Sequence, residues 1–400
     1  MCLGLYISVP YCRSKCTYCN FASGVFSAGQ MGQYVERLAA DMREMRDFAA
    51  EHRAEIPEPA DSIYLGGGTP SLLPPEELKK LLFILRQEFT VLPKAEITVE
   101  CAPGTLTDSI IQALVTRGVN RVSLGVQSFV DKEAASVARL HTREKARQDI
   151  ERLRCAGISN INVDLIAGLP HQTRETWNYS LDEAIAIGVP HVSVYMLEVD
   201  EDSRLGRELI AGGTKYHAHF VPDDDLTAEM YETACDRLNA AGIRQYEISN
   251  FAREGFESRH NLKYWTRQPY LGFGVDAHSM LPASAEARAD GVESVRLATT
   301  DNYDQFLISA QTSASEVTTA QALEEALFLG LRLNRGIDLE QLRSEFGEQV
   351  EQYTAILEEL FSAGLLRRIG NNLQLTARGR LLSNEVFEKF LSCPTPTPIG

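Results

Sequence analysis

Three cysteines lie within eight residues of one another near the start of the chain, in the stretch VPYCRSKCTYCNFAS. Cys12, Cys16 and Cys19 have a C-x3-C-x2-C spacing, which lets three thiolates converge from one loop onto one metal centre. Thiolates select zinc or iron-sulfur clusters. A structural zinc ion would need a fourth ligand nearby, but no Cys, His, Asp or Glu lies between Cys19 and Glu36. The spacing therefore favours a [4Fe-4S] cluster with one iron open to an exogenous ligand, and the alternatives are zinc or buried cysteines without a metal.

The elements that must position these thiolates are short strands alternating with helices over roughly the first 200 residues. The strands are LYISVP, SIYL, EITVECAP, RVSLGVQS, NINVDLIAGLP and HVSVYMLEV, and helices are predicted at about 30–53, 75–89, 107–117, 143–156 and 173–187. The strands are β-branched and mostly apolar on both faces, a pattern typical of parallel βαβ units covered by helices. We therefore expect an α/β fold with a closed or partly open (β/α) barrel, and a doubly wound sheet is the alternative.

Polar side chains gather where the predicted strands end. The cysteines follow the first strand and the glycine run GGGTP, residues 66–70, follows the second, while Glu100 ends the third, Gln127 ends the fourth and Asp164 lies in the fifth. In both candidate folds the carboxyl ends of parallel strands meet at one edge and hold the chemistry. The sequence thus predicts one site built from these residues.

Charge and composition limit the possible partners. The chain of 400 residues has 39 Lys and Arg against 55 Asp and Glu, a net charge of −16, which argues against binding nucleic acid through its phosphates. No apolar run reaches the roughly 20 residues of a membrane span, and the N-terminus lacks a signal-peptide pattern. The remaining cysteines are scattered, as expected for reduced thiols: Cys2, Cys101, Cys155, Cys235 and Cys393. We expect a cytoplasmic protein that does not span a membrane.

Changes in composition predict the domain organisation. Residues 1–280 would form the barrel and a following segment, and residues 281–310, rich in Ala, Ser and Asp, would be a linker. Helices followed by a small hairpin with Gly-Asn-Asn at its tip predict a winged-helix-like domain over residues 311–391. Residues 392–400 would be a disordered tail.

The cysteine pattern C-x3-C-x-Y-C, with Tyr18 before the third cysteine, resembles the signature of the radical S-adenosylmethionine (SAM) superfamily. The resemblance implies that Cys12, Cys16 and Cys19 hold a [4Fe-4S] cluster whose open iron binds SAM, which the cluster can cleave to a 5′-deoxyadenosyl radical. The GGGTP run is similar to the family's GGxP element. Gly67, Gly68 and Thr69 would then contact SAM, with glycine leaving the backbone free to approach; alone, such a run is just a turn.

The chain resembles more narrowly the oxygen-independent coproporphyrinogen oxidase-like branch of that superfamily, over nearly its whole length. The matching positions, which the resemblance assigns to SAM, are Tyr6, Glu100, Gln127 in GVQSF, Arg139 and Asp164 in NVDLIAGLP. Carboxylates suit ribose hydroxyls or an amino group, and an arginine suits the SAM carboxylate. Taken singly, the three charged residues have an alternative interpretation as loop caps or surface ion pairs.

Within this branch, the coproporphyrinogen dehydrogenases carry a fourth cysteine two residues after the third, and this chain has Phe21 there. They also carry a sizeable extension ahead of the cluster loop, whereas eleven residues precede Cys12 in this sequence. Both features favour the HemW-like heme chaperones, so the resemblance implies a chaperone that binds heme and passes it to a recipient heme protein, with a reduced electron donor for the cluster. A coproporphyrinogen III dehydrogenase is the alternative, and a radical SAM enzyme modifying RNA is a third. Ala22 departs from the Asn usual after the Phe.

The stretch HNLKYW, residues 260–265, matches the HNxxYW motif of the HemW-like proteins, where it is implicated in heme binding. A neutral imidazole can ligate heme iron, and Tyr and Trp offer flat apolar faces to a porphyrin. His260 is therefore the predicted heme ligand, although such a stretch is by itself more typical of a packed loop. His278 is a second candidate in a glycine-rich segment, which Asp276 interrupts.

Overall fold

Six strands in succession, each followed by helical structure, open the chain and form the centre of one large sheet. The computed structural model describes residues 1–198, 201, 203–309 and 312–391. The strands are β1 Leu3–Ser8, β2 Ala60–Gly66, β3 Val91–Cys101, β4 Arg121–Gln127, β5 Asn160–Ala167 and β6 His191–Met196. The helices are α1 Ala28–Glu51, α2 Pro75–Glu88, α3 Asp108–Thr116, α4 Asp131–Ser136, α5 Arg143–Cys155, α6 Arg174–Ile187 and α7 Arg204–Ile210. β1 to β6 pair in sequence order and all in parallel.

The sheet extends on both sides of this parallel core. The next elements are α8 Asp224–Ala240, β7 Arg244–Gln245, β8 Asn250–Ala252, α9 Arg259–Trp265, β9 Tyr270–Phe273, β10 His278–Pro282, α10 Ala285–Ala289, β11 Val292–Thr299, α11 Tyr303–Ile308 and β12 Thr312–Thr318. The order across the twelve strands is β12-β11-β10-β9-β1-β2-β3-β4-β5-β6-β8-β7. Strands β12 and β7 are its two edges, so the barrel is a partial one, and the predicted fold class is confirmed.

The two faces of the parallel strands differ in polarity. Leu5 and Ile7 of β1 and Ile63 and Leu65 of β2 belong to the main apolar core, while the alternate residues are mostly polar. The buried polar side chains of this second face are Ser62, Glu96, Thr98, Arg121, Ser123, Asn162, His191 and Ser193. The expectation of two apolar faces is therefore wrong: helices cover one face, and the other encloses a polar barrel interior.

Residues 281–310, expected to be a linker, contain α10, β11 and α11. β11 pairs antiparallel with both β10 and β12, and its Val295 and Leu297 are buried. The alternating pattern VESVRLAT outweighs the Ala, Ser and Asp around it, because a strand that buries one face needs only every second residue to be apolar. This stretch is thus an integral part of the large sheet.

The C-terminal elements have an apolar core of their own. They are α12 Thr319–Leu331, β13 Ile337–Asp338, α13 Leu339–Phe346, α14 Thr354–Ser362, β14 Leu366–Ile369, β15 Asn372–Leu375, α15 Ala377–Leu381 and α16 Ser383–Leu391. The predicted hairpin is present, with Gly370 and Asn371 between β14 and β15, and β13 completes a three-stranded sheet. The tail predicted at 392–400 lies outside the described residues. Among the residues described, no helix combines the length and apolarity needed to cross a bilayer.

Candidate functional site

The cysteine loop joins β1 to α1 and is held at both ends by backbone hydrogen bonds. The Cys12 amide donates to the Gly24 carbonyl at 2.8 Å, and the Gly24 amide donates to the Pro10 carbonyl at 2.9 Å. Cys12, Cys16 and Cys19 are all partly buried free thiols. In the described parts of the chain, no three or more His, Cys, Asp or Glu side chains are grouped so that they could hold a single metal ion.

Two neighbouring elements fix the outer side of the loop. The Ser14 hydroxyl donates to the Ala138 carbonyl at 3.0 Å, and the Leu205 amide at the start of α7 donates to the Thr17 carbonyl at 2.8 Å. Burial raises the pKa of the Cys19 thiol, and the neighbouring thiols of Cys16 and Cys12 raise it further. A positive group placed among these thiols would favour their ionisation and draw them together.

The glycine run after β2 packs directly on the start of the cysteine loop. A Cβ atom on Gly68 would lie 2.7 Å from the Val9 carbonyl oxygen and 2.8 Å from the Tyr11 amide nitrogen. Gly67 has φ of +86°, a backbone conformation that favours glycine. The Thr69 amide donates to the Tyr11 carbonyl at 2.7 Å, and the Thr69 hydroxyl lies 3.9 Å from the Cys12 sulfur. The packing of the chain itself therefore requires glycine at these positions, whether or not a ligand also contacts them.

Two carboxylates face the polar interior from β3 and β5. Glu100 accepts a hydrogen bond from the Tyr64 hydroxyl at 2.8 Å, and Asp164 accepts one from the Asn162 amide at 2.7 Å. Burial raises the pKa of Glu100 to about 7, while the Tyr64 hydrogen bond opposes the shift. Burial likewise raises the pKa of Asp164. A ligand carrying hydroxyls or a positive charge would relieve this unfavourable burial.

Arg139 provides a partly buried positive charge next to the cysteine loop. Its guanidinium donates to the Tyr18 hydroxyl at 3.2 Å, and its Nε is buried without a hydrogen-bond partner. Gly125 lies beside it: a Cβ there would make an ordinary contact with the guanidinium at 3.5 Å and a tight one with the Gln127 side-chain nitrogen at 3.0 Å. Gln127 is buried with φ of +67°, at a register shift between β4 and β5. An unpaired donor beside three thiols suits an anionic group of a ligand.

A cleft of about 290 Å³ opens between the cysteine loop and α5, lined by Cys16, Thr69 and Arg139 among others. The lining also includes Arg13 and Lys145, which sequence reasoning did not single out. Arg13 lies between two of the cysteines in the sequence, and this position indicates that it lies beside the cysteine site. The structure thus brings the cysteines, the glycine turn and the arginine to one end of the parallel strands, and these donor types fit a [4Fe-4S] cluster and SAM.

Tyr6 lies on β1 opposite Tyr64 of β2, and the two rings form a stack with His260. His260 itself is only 1% exposed. One ring nitrogen lies 3.0 Å from the Ser62 hydroxyl and the other 2.9 Å from the Tyr264 hydroxyl, so both have partners. Burial lowers the pKa of His260 to about 3, which keeps the ring neutral.

Helix α9, which carries His260, covers the amino-terminal end of the strands, away from the cysteine loop. The Glu96 carboxylate accepts hydrogen bonds from the His260 and Arg259 amides at 3.2 and 3.1 Å and so caps α9. Lys263 is 2% exposed and pairs with Asp61 at 2.7 Å. The HNLKYW stretch therefore closes one end of the barrel.

Trp265 and His278 lie elsewhere. The guanidinium of Arg332, just after α12, lies 4.2 Å from the centre of the Trp265 ring, so this end of α9 contacts the C-terminal elements. The His278 side chain is 63% exposed at the start of β10, with Nε2 3.7 Å from Asp276. The structure therefore does not bring His260 and His278 together with the cysteines as one site.

The comparisons with known proteins agree with this architecture. Residues 6–184 match the family model of the radical SAM superfamily, and residues 317–382 match that of the HemN C-terminal domain. The chain is 33% identical to a protein of Bacillus subtilis named heme chaperone HemW, over 96% of this chain and 98% of the relative. The protein of the same name from Escherichia coli is 30% identical, over 98% of each chain.

Among solved structures, the coproporphyrinogen III oxidase (HemN) of Escherichia coli, described as a radical SAM enzyme, superposes with a TM-score of 0.80. That match covers 98% of this chain and 90% of the other at 22% identity, and it shows a shared fold. The cysteine loop, the glycine turn and the full-length similarity together identify the family. The chain belongs to the HemW family of the radical SAM superfamily.

Proposed function

We propose that this protein is a heme chaperone, which binds heme and transfers it to a recipient heme protein. The observation that carries the proposal is the similarity to proteins named heme chaperone HemW, which runs over 96% of the chain at 33% identity. A match of this extent includes the cysteine loop, the barrel and the C-terminal elements, and not the radical SAM region alone.

The runner-up is oxidative decarboxylation of coproporphyrinogen III, which the shared fold with HemN keeps open. Phe21 argues against it. This ring stands where the dehydrogenases of the branch carry a further cysteine, and it is 61% exposed on the cysteine loop. An apolar ring held in solvent beside the cysteines offers a contact surface and no thiol.

For the cofactors, we propose Cys12, Cys16 and Cys19 as ligands of a [4Fe-4S] cluster. The residues proposed to hold SAM are Tyr6, Gly67, Gly68, Thr69, Glu100, Gln127, Arg139 and Asp164. The contacts described above support different roles for these residues. Arg139 has a buried Nε donor without a partner, which suits the SAM carboxylate. Glu100 and Asp164 can accept hydrogen bonds from hydroxyl or amino groups. When bound, a reduced cluster and SAM supply radical chemistry; the chain holds and orients them.

Heme ligation by His260 stays a prediction. It requires a conformation in which the ring leaves the stack with Tyr6 and Tyr64 and gives up both hydrogen bonds, to Ser62 and Tyr264. That change would also uncover the amino-terminal end of the barrel. The partners we propose are heme, a recipient heme protein and a reduced electron donor, in the cytoplasm and without nucleic acid.

The domain boundaries also remain proposals. We propose a radical SAM unit with the HNLKYW segment at 1–280 and a C-terminal unit at 311–391, the second supported by its own apolar core. β11 ties the intervening 281–310 segment to the large sheet.

Two assays on one preparation test the proposal. Reconstituted, reduced protein is given SAM and coproporphyrinogen III, and separately is loaded with heme and mixed with an apo heme protein. We expect heme to move to the acceptor, followed by its absorbance, and no protoporphyrinogen IX to form. Formation of protoporphyrinogen IX would favour the dehydrogenase, and failure to bind or pass on heme would refute the chaperone.

A further inference from the structure

A second group of histidines lies on the surface, outside the site described above. His171 follows β5, and His217 and His219 lie on the short helical segment Lys215–Phe220 between α7 and α8. The His171 amide donates to the Phe220 carbonyl at 2.9 Å, which joins the two segments. We call the set His171, Tyr216, His217, His219 and Phe220 the histidine patch.

Two imidazoles of the patch are hydrogen-bonded to each other. Nε2 of His171 lies 3.1 Å from Nδ1 of His217. Burial and then the positive charge of Lys132 lower the pKa of His171, which favours a neutral ring able to accept this bond. If His217 donates through Nδ1, its Nε2 carries a lone pair. A histidine that ligates a metal usually donates its other ring N–H in this way.

Flat apolar surface surrounds the two histidines. The rings of His171 and His219 each lie with their centres 4.0 Å from that of Phe220. Phe220 is 47% exposed and Tyr216 is 40% exposed, so two aromatic side chains stand partly in water. Adjacent, partly exposed rings of this kind offer a flat apolar surface against which another aromatic body can pack.

The backbone of the patch is held in an unusual conformation. His171, Tyr216 and His217 have φ of 70°, 54° and 61°, in the left-handed region that non-glycine residues seldom occupy. Three such residues lie together at one surface. Their conformation therefore indicates a constraint other than local backbone preference.

The patch is also close to the cysteine loop. The segment Lys215–Phe220 packs against α7, whose Leu205 amide is bonded to Thr17 of the loop. Leu169, two residues before His171, packs in one apolar cluster with Tyr18. Lys132 lies within electrostatic reach of His171 and adds a cation for an anionic group.

We propose that the histidine patch is a docking site for heme, with His217 as the iron ligand, His171 holding its tautomer, and Tyr216 and Phe220 against the porphyrin. The proposal rests on the proposed heme chaperone function and deepens it. Iron porphyrin is the occupant that uses each part: an imidazole for the metal, aromatic faces for the macrocycle and a lysine for a propionate. A surface site also allows heme to leave for an acceptor without opening the barrel, which the buried His260 does not.

Heme titration of the reconstituted protein tests the patch, with the difference spectrum taken against the same protein without heme. His171→Ala/His217→Ala should weaken heme binding at least about tenfold. His52→Ala, which removes a histidine at the end of α1 that belongs to neither candidate heme site, is the matched control and should bind as the wild type does. Iron content and near-ultraviolet circular dichroism check that the variants are folded. If the double variant loses them, His217→Gln, which keeps a polar side chain, should show the same weakening.

The outcomes separate this proposal from the function on which it rests. If the wild type and the double variant bind heme equally, the patch is not the site while the chaperone function stands. If His260→Phe abolishes binding and the patch variants do not, His260 is the ligand and the patch is again excluded. If the wild type binds no heme at all, the chaperone function itself fails, and the patch proposal with it.

Discussion

Replacing Gly68 by alanine should loosen the cysteine loop through steric contact alone. The added Cβ would lie 2.7 Å, 2.8 Å and 2.9 Å from the Val9 oxygen, the Tyr11 nitrogen and the Tyr11 oxygen. All three are backbone atoms, so no flexible side chain can move aside, and the strand end or the glycine turn must shift. Overpacking of this kind costs about 1–3 kcal/mol of the free energy of unfolding. The same shift would displace Cys12, which follows Tyr11 directly.

Two measurements on Gly68→Ala follow: urea denaturation for the free energy of unfolding, and iron and sulfide content after anaerobic reconstitution. Both should fall relative to the wild type. Gly29→Ala is the matched control, because a Cβ at Gly29 has nothing within 4 Å and the residue lies in α1. It should leave both quantities unchanged or raise stability slightly. If Gly68→Ala kept full stability and full iron, the glycine turn would not be what holds the loop.

Three further predictions concern the cluster, the barrel interior and α9. Cys16→Ser should lower the iron content after reconstitution, whereas Cys155→Ser, at an exposed cysteine in α5, should not. Equal iron content in the two variants would show that Cys16 is not a cluster ligand. The folded chain holds a proton on Glu100 up to a pKa of about 7, whereas the unfolded chain releases it near 4.5, so the free energy of unfolding should decrease as pH rises between these values. Glu100→Gln should reduce this pH-dependent loss of stability by at most about 3 kcal/mol, measured by denaturation at several pH values in this range. If the free energy of unfolding depended on pH as in the wild type, the Glu100 carboxyl would not be buried. His260→Phe should lower the free energy of unfolding by about 1–3 kcal/mol for each hydroxyl left without its hydrogen-bond partner. His278→Ala should change it by less than about 0.5 kcal/mol. Equal effects of the two substitutions would contradict the packing of α9.

The parts of the site that are local in sequence could be predicted, and the parts that depend on packing could not. The cysteine spacing and the glycine run each lie on one loop, so their types and order indicated their place at the strand ends. The surroundings of His260 depend on Ser62, almost 200 positions away, and no local pattern indicates that contact. The spacing of His260 and Tyr264 does place them on one helix face, which was a usable sign that both point inward.

The polar interior was predictable in principle. In NINVDL, the first six residues of β5, polar and apolar residues alternate, which is the pattern of a strand with two unlike faces. The histidine patch joins the loop after β5 to a segment about 45 positions later, so only the folded chain shows that its rings meet.

The contact between Trp265 and Arg332 has a practical consequence for following this protein in solution. The chain has only two tryptophans, and Trp177 is buried, with its indole N–H bonded to the Met230 carbonyl at 2.7 Å. Trp177→Phe would leave Trp265 as the one indole fluorophore, placed where α9 meets the C-terminal elements. Its emission would then report, without any attached label, whether the two parts of the chain stay together while heme is taken up and released.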